Sequence, residues 1–477
     1  MPVRLPSLEE LARAARKLGL DLSADELAAY RDQMQPSVVA YGRLDELEQP
    51  APQVRYPRSP GYRPAPADNP LGAWYWKGSI RGAPTGRLAG KRIAIKDNVA
   101  VAGFPMMNGS AAIEGYVPEF DATVVTRILD AGGEIVGKAV CEDMCMSGSS
   151  WTSHSGPVRN PHDPTRTTGG SSSGSAALVA AGEVDLAIGG DQAGSIRVPA
   201  SYYGIYGLKP TYGLVPYTGI YPMEMTIDHV GPMGASVMDV ALLLEAIAGE
   251  DGLDPRQRDV RVETYTRALS RSVRGLRIGV LEEGFAWPGR TEPDVDDAVR
   301  AAADKLAFVG ADVRPVSVPL HRDGRAIQGA IVREGGLLTT VLGHGLGTNW
   351  QGLYPVSMVT AYGRGILSHV NDLADTVKLG ILWGQYVHDA YQGQYYAKAQ
   401  NLARTLTAAY DEAFRDVDLL LMPTTPMKAT PLPAPDAPLE ERLDRSYEML
   451  GNTAPFNFSG HPAMNVPCAV SMGCPWV

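Results

Sequence analysis

The stretch Thr167-Thr168-Gly169-Gly170-Ser171-Ser172-Ser173-Gly174-Ser175-Ala176 constrains the fold more than any other part of the chain. Its residues are too small to fill a core, and glycine loses much freedom on folding, so composition alone suits a flexible linker. The pattern predicts a helix over 175–181 and a strand over 184–188 directly after it. That places the run inside a compact domain, where a linker has no role. Two further readings compete. Gly169 and Gly174 have P-loop separation, but Ser175 stands where that motif needs Lys and no strand precedes it. Gly170-x-Ser172-x-Gly174 fits G-x-S-x-G, yet a nucleophile elbow needs a strand leading into the serine. Here the preceding residues, Asn160 to Arg166, read as turn-rich coil.

The surrounding pattern alternates strands and helices. Arg92 to Ile95 is strand-like and ends at Lys96; 122–131 reads as a helix and 134–138 as a strand. Such alternation predicts an α/β fold with a central mixed β-sheet flanked by helices. The pattern restarts with a strand at 276–281, a helix at 293–308 and a strand at 312–318. Mainly helical sequence follows over 326–414, then a strand at 418–422. The 477 residues exceed one small core, and three parts are expected. Residues 1–70 form a helical segment and Pro-rich connector, 71–270 with 418–477 an α/β core, and 271–417 an inserted smaller α/β lobe. In the first part, Ser7 with Glu10 and Ser23 with Glu26 fit the capping box.

Several function classes fall away. A net charge of −10, with no Lys/Arg-rich run, argues against nucleic-acid binding. No apolar run approaches the roughly 20 residues of a membrane span, and the N-terminus lacks a signal-peptide core. Cys141, Cys145, Cys468 and Cys474 match no zinc or redox spacing, so reduced thiols of a cytoplasmic protein are expected. None of the eight histidines forms HxH or HExxH, and His154, His162 and His461 sit in polar loops or turns. No metal or other cofactor is expected.

A second Gly/Ser element, Gly189-Gly190-Asp191-Gln192-Ala193-Gly194-Ser195-Ile196-Arg197-Val198-Pro199, follows the strand at 184–188. Backbone N–H groups in such a turn can converge on an anion, as an oxyanion hole requires. The Gly169–Ala176 run, this element 24 residues further on, Ile95-Lys96-Asp97-Asn98, Gly207-Leu208-Lys209-Pro210-Thr211-Tyr212-Gly213 and Asn452-Thr453-Ala454-Pro455-Phe456-Asn457 together resemble the amidase signature family. The helical N-terminus and the Asp-Gln form of the second loop are similar to stand-alone bacterial amidases associated with nitrile metabolism.

The resemblance implies hydrolysis of a small carboxamide by a Ser-cisSer-Lys triad. Ser195 would attack, Ser171 would bridge the proton after a cis Gly170–Ser171 peptide, and Lys96 would be the base. A serine hydroxyl needs such a base, and the lysine must be uncharged to accept a proton. It further implies an oxyanion hole from Gln192, Ala193, Gly194 and Ser195. Substrate contacts are implied from Cys145, Met146, Ser147 and Ser171, with Met106, Met107 and Asn108 behind them. Ala193 and Ser173 replace glycines common in the family, which implies a narrower site. The family continues past this ending, Gly473 to Val477, with a further strand and helix. The expected partner is a small-molecule amide, with no nucleic acid or membrane, and the expected assembly is a homodimer. Anilide or carbamate hydrolysis uses the same machinery. Two alternatives stay open: a catalytically silent binding module, or one chain of a tRNA-dependent amidotransferase.

Overall fold

The computed structural model describes residues 2–471 and 474–476, the side chains of 471 and 474–476 excepted. The chain's ending and the thiol of Cys474 therefore lie outside the described residues. Two compact units are present, Met1–Pro52 and Gln53–Val477.

In the first unit α1 (Leu8–Leu18) and α2 (Ala24–Gln33) each start at a complete capping box. Glu10 N–H donates to Ser7 Oγ at 3.2 Å, while Ser7 N–H donates to Glu10 Oε2 at 2.7 Å. Ser23 and Glu26 repeat the exchange at 3.3 and 2.8 Å. Each box satisfies two amides that the first helical turn would otherwise orphan. A third helix, α3 (Gln35–Glu46), follows with Pro36 in its first turn, where the missing N–H costs nothing.

The second unit is built on a seven-stranded mixed sheet. Its strands are β1 (Trp74–Arg81), β2 (Arg92–Lys96), β3 (Glu134–Ala139), β4 (Leu186–Asp191), β5 (Tyr206–Lys209), β6 (His229–Gly234) and, last in sequence, Ala463–Asn465. The order is β1-β3-β2-β4-β6-β5, with 463–465 at the far edge. β3, β2 and β4 run parallel at the centre, and the remaining neighbours are antiparallel. The central strands are buried along nearly their whole length because both faces are covered. Helices α4 (Thr123–Asp130) and α7 (Val237–Ile247) pack on Ile93, Ile95 and Ile135. On the other face α5 (Ser173–Ala180) and α6 (Arg197–Tyr203) pack through Ala176, Ala177 and Ala200 onto Ala94 and Ala187. Small residues on both sides of that second interface bring helix and sheet close, which delivers the two Gly/Ser elements to the same strand ends.

The predicted α/β architecture is present, with additions at the sheet's flanks. β6 contains Gly231, Pro232 and Gly234, which speak against a central strand in sequence. In the structure the Leu208 carbonyl of β5 occupies the space a side chain at 231 would need.

A second, parallel sheet places Asp312–Val316, Arg277–Leu281 and Leu419–Leu421 side by side in that order. Helices Val356–His369, Asp375–Tyr391 and Gln394–Asp416 account for the helical stretch expected there. Before them, helix Gly324–Ala330 runs into two π-helical turns, Ile331–Gly335 and Leu337–Val341. No helix among the described residues is long and apolar enough to cross a membrane.

Candidate active site

Parallel β2 and β4 end beside one another, with Ile95 paired to Ile188, so Lys96 and Gly189–Asp191 share one end of the sheet. Lys96 is fully buried; its Nζ donates to Ser171 Oγ at 2.8 Å and to the Gly190 carbonyl at 3.3 Å. Gly190 leaves that approach open, since a Cβ there would stand 3.5 Å from Lys96 Nζ. Among the described residues no carboxylate forms an ion pair with Lys96. The neighbouring Lys138, equally buried, pairs with Asp97 at 3.1 Å. Burial pushes the Asp97 carboxyl up and the Lys138 ammonium down, against the pull of each on the other.

The Gly/Ser run is an ordered part of this site. The Gly170–Ser171 peptide is cis. Gly170 lies against the Ser149 carbonyl, and a Cβ at Gly174 would come within 2.5 Å of the Ala73 carbonyl, so neither position admits a side chain. Ser172 Oγ donates to the Gly190 carbonyl at 3.0 Å and accepts from Gly190 N–H at 3.2 Å. Ser172 N–H donates to the Ser195 carbonyl at 3.2 Å, and Ser175 Oγ to the Ile188 carbonyl at 2.9 Å. These bonds fasten the first loop to the second and to β4.

The second loop is wrapped around Asp191. Its carboxylate accepts from Gly194 N–H (2.7 Å), Ile196 N–H (3.1 Å) and both Nε and Nη2 of Arg197 (3.0 and 2.9 Å). Asn457 Nδ2 donates to the Asp191 carbonyl and to Oδ1 at 2.8 and 2.9 Å, while its own Oδ1 accepts from Arg197 at 2.7 Å. Burial would raise the Asp191 carboxyl, but the Arg197 charge and this set of donors hold it well below the usual range. Gly194 adopts φ 135°, a conformation that side chains disfavour. Its N–H is taken by Asp191. The N–H groups of Gln192, Ala193 and Ser195 have no acceptor among the described residues, and neither has Ser195 Oγ.

Ser195, Gln192 and Ala193 form one wall of a cleft. Cys145, Met146 and Ser147 line it as well. Ser171 is fully buried behind this lining, and Met106 and Met107 belong to the packed core instead. Asn108 Oδ1 accepts from the Cys145 thiol at 3.5 Å. Burial raises that thiol, but the Cys141 hydrogen bond, the Lys96 charge and contacts from Ser171 and Lys96 outweigh it and bring Cys145 down to about 6. The far wall comes from Arg325, Gln328, Val332, Arg333 and Leu337, with Tyr447 and Leu450 closing one side.

Other participants had no role assigned from the sequence. Glu142 is buried below the first loop and accepts from Thr152 N–H and Oγ1 (2.9 and 2.7 Å), Ser149 (3.3 Å) and Ser173 (3.2 Å). Burial still pushes it up to about 7. The Asp191–Arg197–Asn457 lock joins residues some 260 positions apart, beyond the reach of any local pattern. Of the histidines noted in the sequence, His162 is exposed, His154 lies 3.8 Å from Glu114, and His461 pairs with Asp411 at 3.0 Å.

The amidase family profile matches residues 70–475, which hold every element just described. The chain belongs to the amidase family. This amidase is 48% identical to an enantioselective amidase of Rhodococcus rhodochrous over 434 residues, 90% of this chain and 83% of the relative. Among solved structures it resembles a glutamyl-tRNA(Gln) amidotransferase chain of Thermotoga maritima, with a TM-score of 0.69 and 30% identity over 85% of this chain and 83% of that one. It also resembles the peptide amidase of Stenotrophomonas maltophilia, with a TM-score of 0.65 and 30% identity over 82% and 78% of the two chains. It is an amide-hydrolysing enzyme of the amidase signature type.

Proposed function

We propose that this amidase hydrolyses a small carboxamide to a carboxylic acid and ammonia or an amine through an acyl-enzyme on Ser195. The observation that carries the reading is the 2.8 Å bond from Lys96 Nζ to Ser171 Oγ, on the same loop pair whose other member puts Ser195 at the cleft wall. A neutral Lys96 accepts the proton of Ser171, and Ser171 takes that of Ser195 as Ser195 Oγ bonds to the carbonyl carbon. The developing oxyanion is held by the unengaged N–H groups of Gln192, Ala193 and Ser195, while Gly194 shapes the turn. Collapse breaks the C–N bond, and the nitrogen leaves with the proton returned through Ser171. Water enters by the same relay and frees the acid.

Similarity to an enantioselective amidase supports a single-chain hydrolase; the likeness to an amidotransferase chain supports the second reading, in which a partner chain is needed. Among the described residues the thiols of Cys141, Cys145 and Cys468 are free, which supports a reducing, cytoplasmic setting. The test is hydroxylamine trapping on primary amides, anilides and carbamates with the isolated chain. Hydroxamate should form from amides without any partner, and Ser195→Ala should lose it by at least about a thousandfold. Retained activity in Ser195→Ala would refute the nucleophile, and activity only with an added partner would favour the amidotransferase reading.

A further inference from the structure

The far wall of the cleft carries charge that no carboxylate among the described residues pairs with. Arg325 and Arg333 both line it, whereas no aspartate or glutamate does. Among the described residues neither guanidinium forms an ion pair. Arg325 donates to Gln328 Oε1 at 2.5 Å and lies over the Tyr447 ring at 5.6 Å, contacts that orient it without balancing its charge. Arg333 has no side-chain hydrogen bond among the described residues. This happens in a chain with ten more acidic than basic residues, where other arginines such as Arg197, Arg256 and Arg442 each hold a carboxylate. Burial lowers Arg325 to about 10, and the Arg333 charge adds to that, so the two cations repel one another inside the cleft. The wider π-helical turn at Ile331–Gly335 brings Arg333 to the same cleft as Arg325, eight residues before it. Such turns interrupt α-helices chiefly where a side chain must be re-aimed for function.

We propose that Arg325 and Arg333 form a carboxylate subsite facing Ser195, so that the preferred substrates are amides bearing a second, free carboxylate away from the scissile bond. A guanidinium fork matches a carboxylate in geometry, and an incoming anion relieves the repulsion between the two arginines. The remaining lining, Met146, Val332, Leu337 and Ile381 among it, suits the hydrocarbon between the two ends of such a molecule. The inference rests on Ser195 being the reacting residue of this cleft.

The test compares monoamides of straight-chain dicarboxylic acids with n-alkanamides of matching length. In the wild-type enzyme the best carboxylate-bearing amide should exceed its neutral counterpart in kcat/KM by roughly 10- to 100-fold, mainly through KM. In Arg333→Gln and Arg325→Gln that ratio should fall toward one, and Arg333→Lys should restore part of it. Calorimetry on Ser195→Ala with the same amides measures binding apart from chemistry. Carboxylate-dependent binding without turnover by wild type would leave the subsite standing and sink the Ser195 reading. Turnover of both amides with equal kcat/KM, or a ratio unchanged in both arginine variants, would overturn the subsite.

Discussion

The two walls of the cleft are built in opposite ways. The wall carrying Ser195 rests on committed supports: Lys96, Ser172, Ser175 and Asp191 each spend their polar atoms on named partners, and glycines admit backbone where no side chain would fit. The facing wall, from Arg325 to Leu337, leaves two guanidiniums without a counter-ion and interrupts its helix with π-turns. Proton transfer needs atoms fixed to within tenths of an ångström, which a hydrogen-bonded network supplies. Choice of substrate needs groups that stay unsatisfied until the substrate arrives. The supports behind Ser195 thus store geometry, and the two arginines store an unmet charge.

That contrast can be broken first at the base. Lys96→Met keeps the buried volume and removes the proton acceptor; kcat should fall roughly a hundred- to ten-thousandfold while circular dichroism stays that of the wild type. A small loss would mean that another group accepts the proton. Next in size is the lock behind the nucleophile loop. Asp191→Asn leaves Arg197 charged and buried with one oxygen fewer to bind, and should cost about 3–5 kcal/mol in chemical denaturation. An unchanged midpoint would show that the loop holds its shape without the ion pair.

The smallest effect sharpens the comparison through pH. Glu142 is held at about 7 in the folded chain against a reference of 4.5, because burial disfavours its charge. Its stabilising contribution is therefore complete below 4.5 and is lost as pH rises through 7, a difference of about 3 kcal/mol. Glu142→Gln keeps an acceptor for Thr152 and cannot ionise, so its Tm should decline less than that of the wild type between about pH 5 and pH 8. Parallel profiles would mean that Glu142 ionises normally.

The same division governs what the sequence revealed. The committed wall was legible because the features that carry its family resemblance are local: a strand ending on Lys96, two Gly/Ser turns and a fixed spacing between their serines. The capping boxes at Ser7 and Ser23 were legible for the same reason. β6 was hidden by its glycines and proline, whose places are set by β5 alongside. Arg325 and Arg333 lie on an ordinary helical stretch, and only the folded chain shows that they line one cleft with Ser195 and form no ion pair among the described residues. Gly194 is a finer case: the motif offers its N–H to an oxyanion, and the fold gives it to Asp191.

The Ser195 hydroxyl and the lowered thiol of Cys145 line one cleft. Rapid quenching during turnover of a slow anilide, followed by peptide mapping by mass spectrometry, decides between them. The acyl group should be found on the peptide at Ser195 and should vanish in Ser195→Ala. An acyl group on Cys145 or Ser171 in the wild-type enzyme would contradict the account.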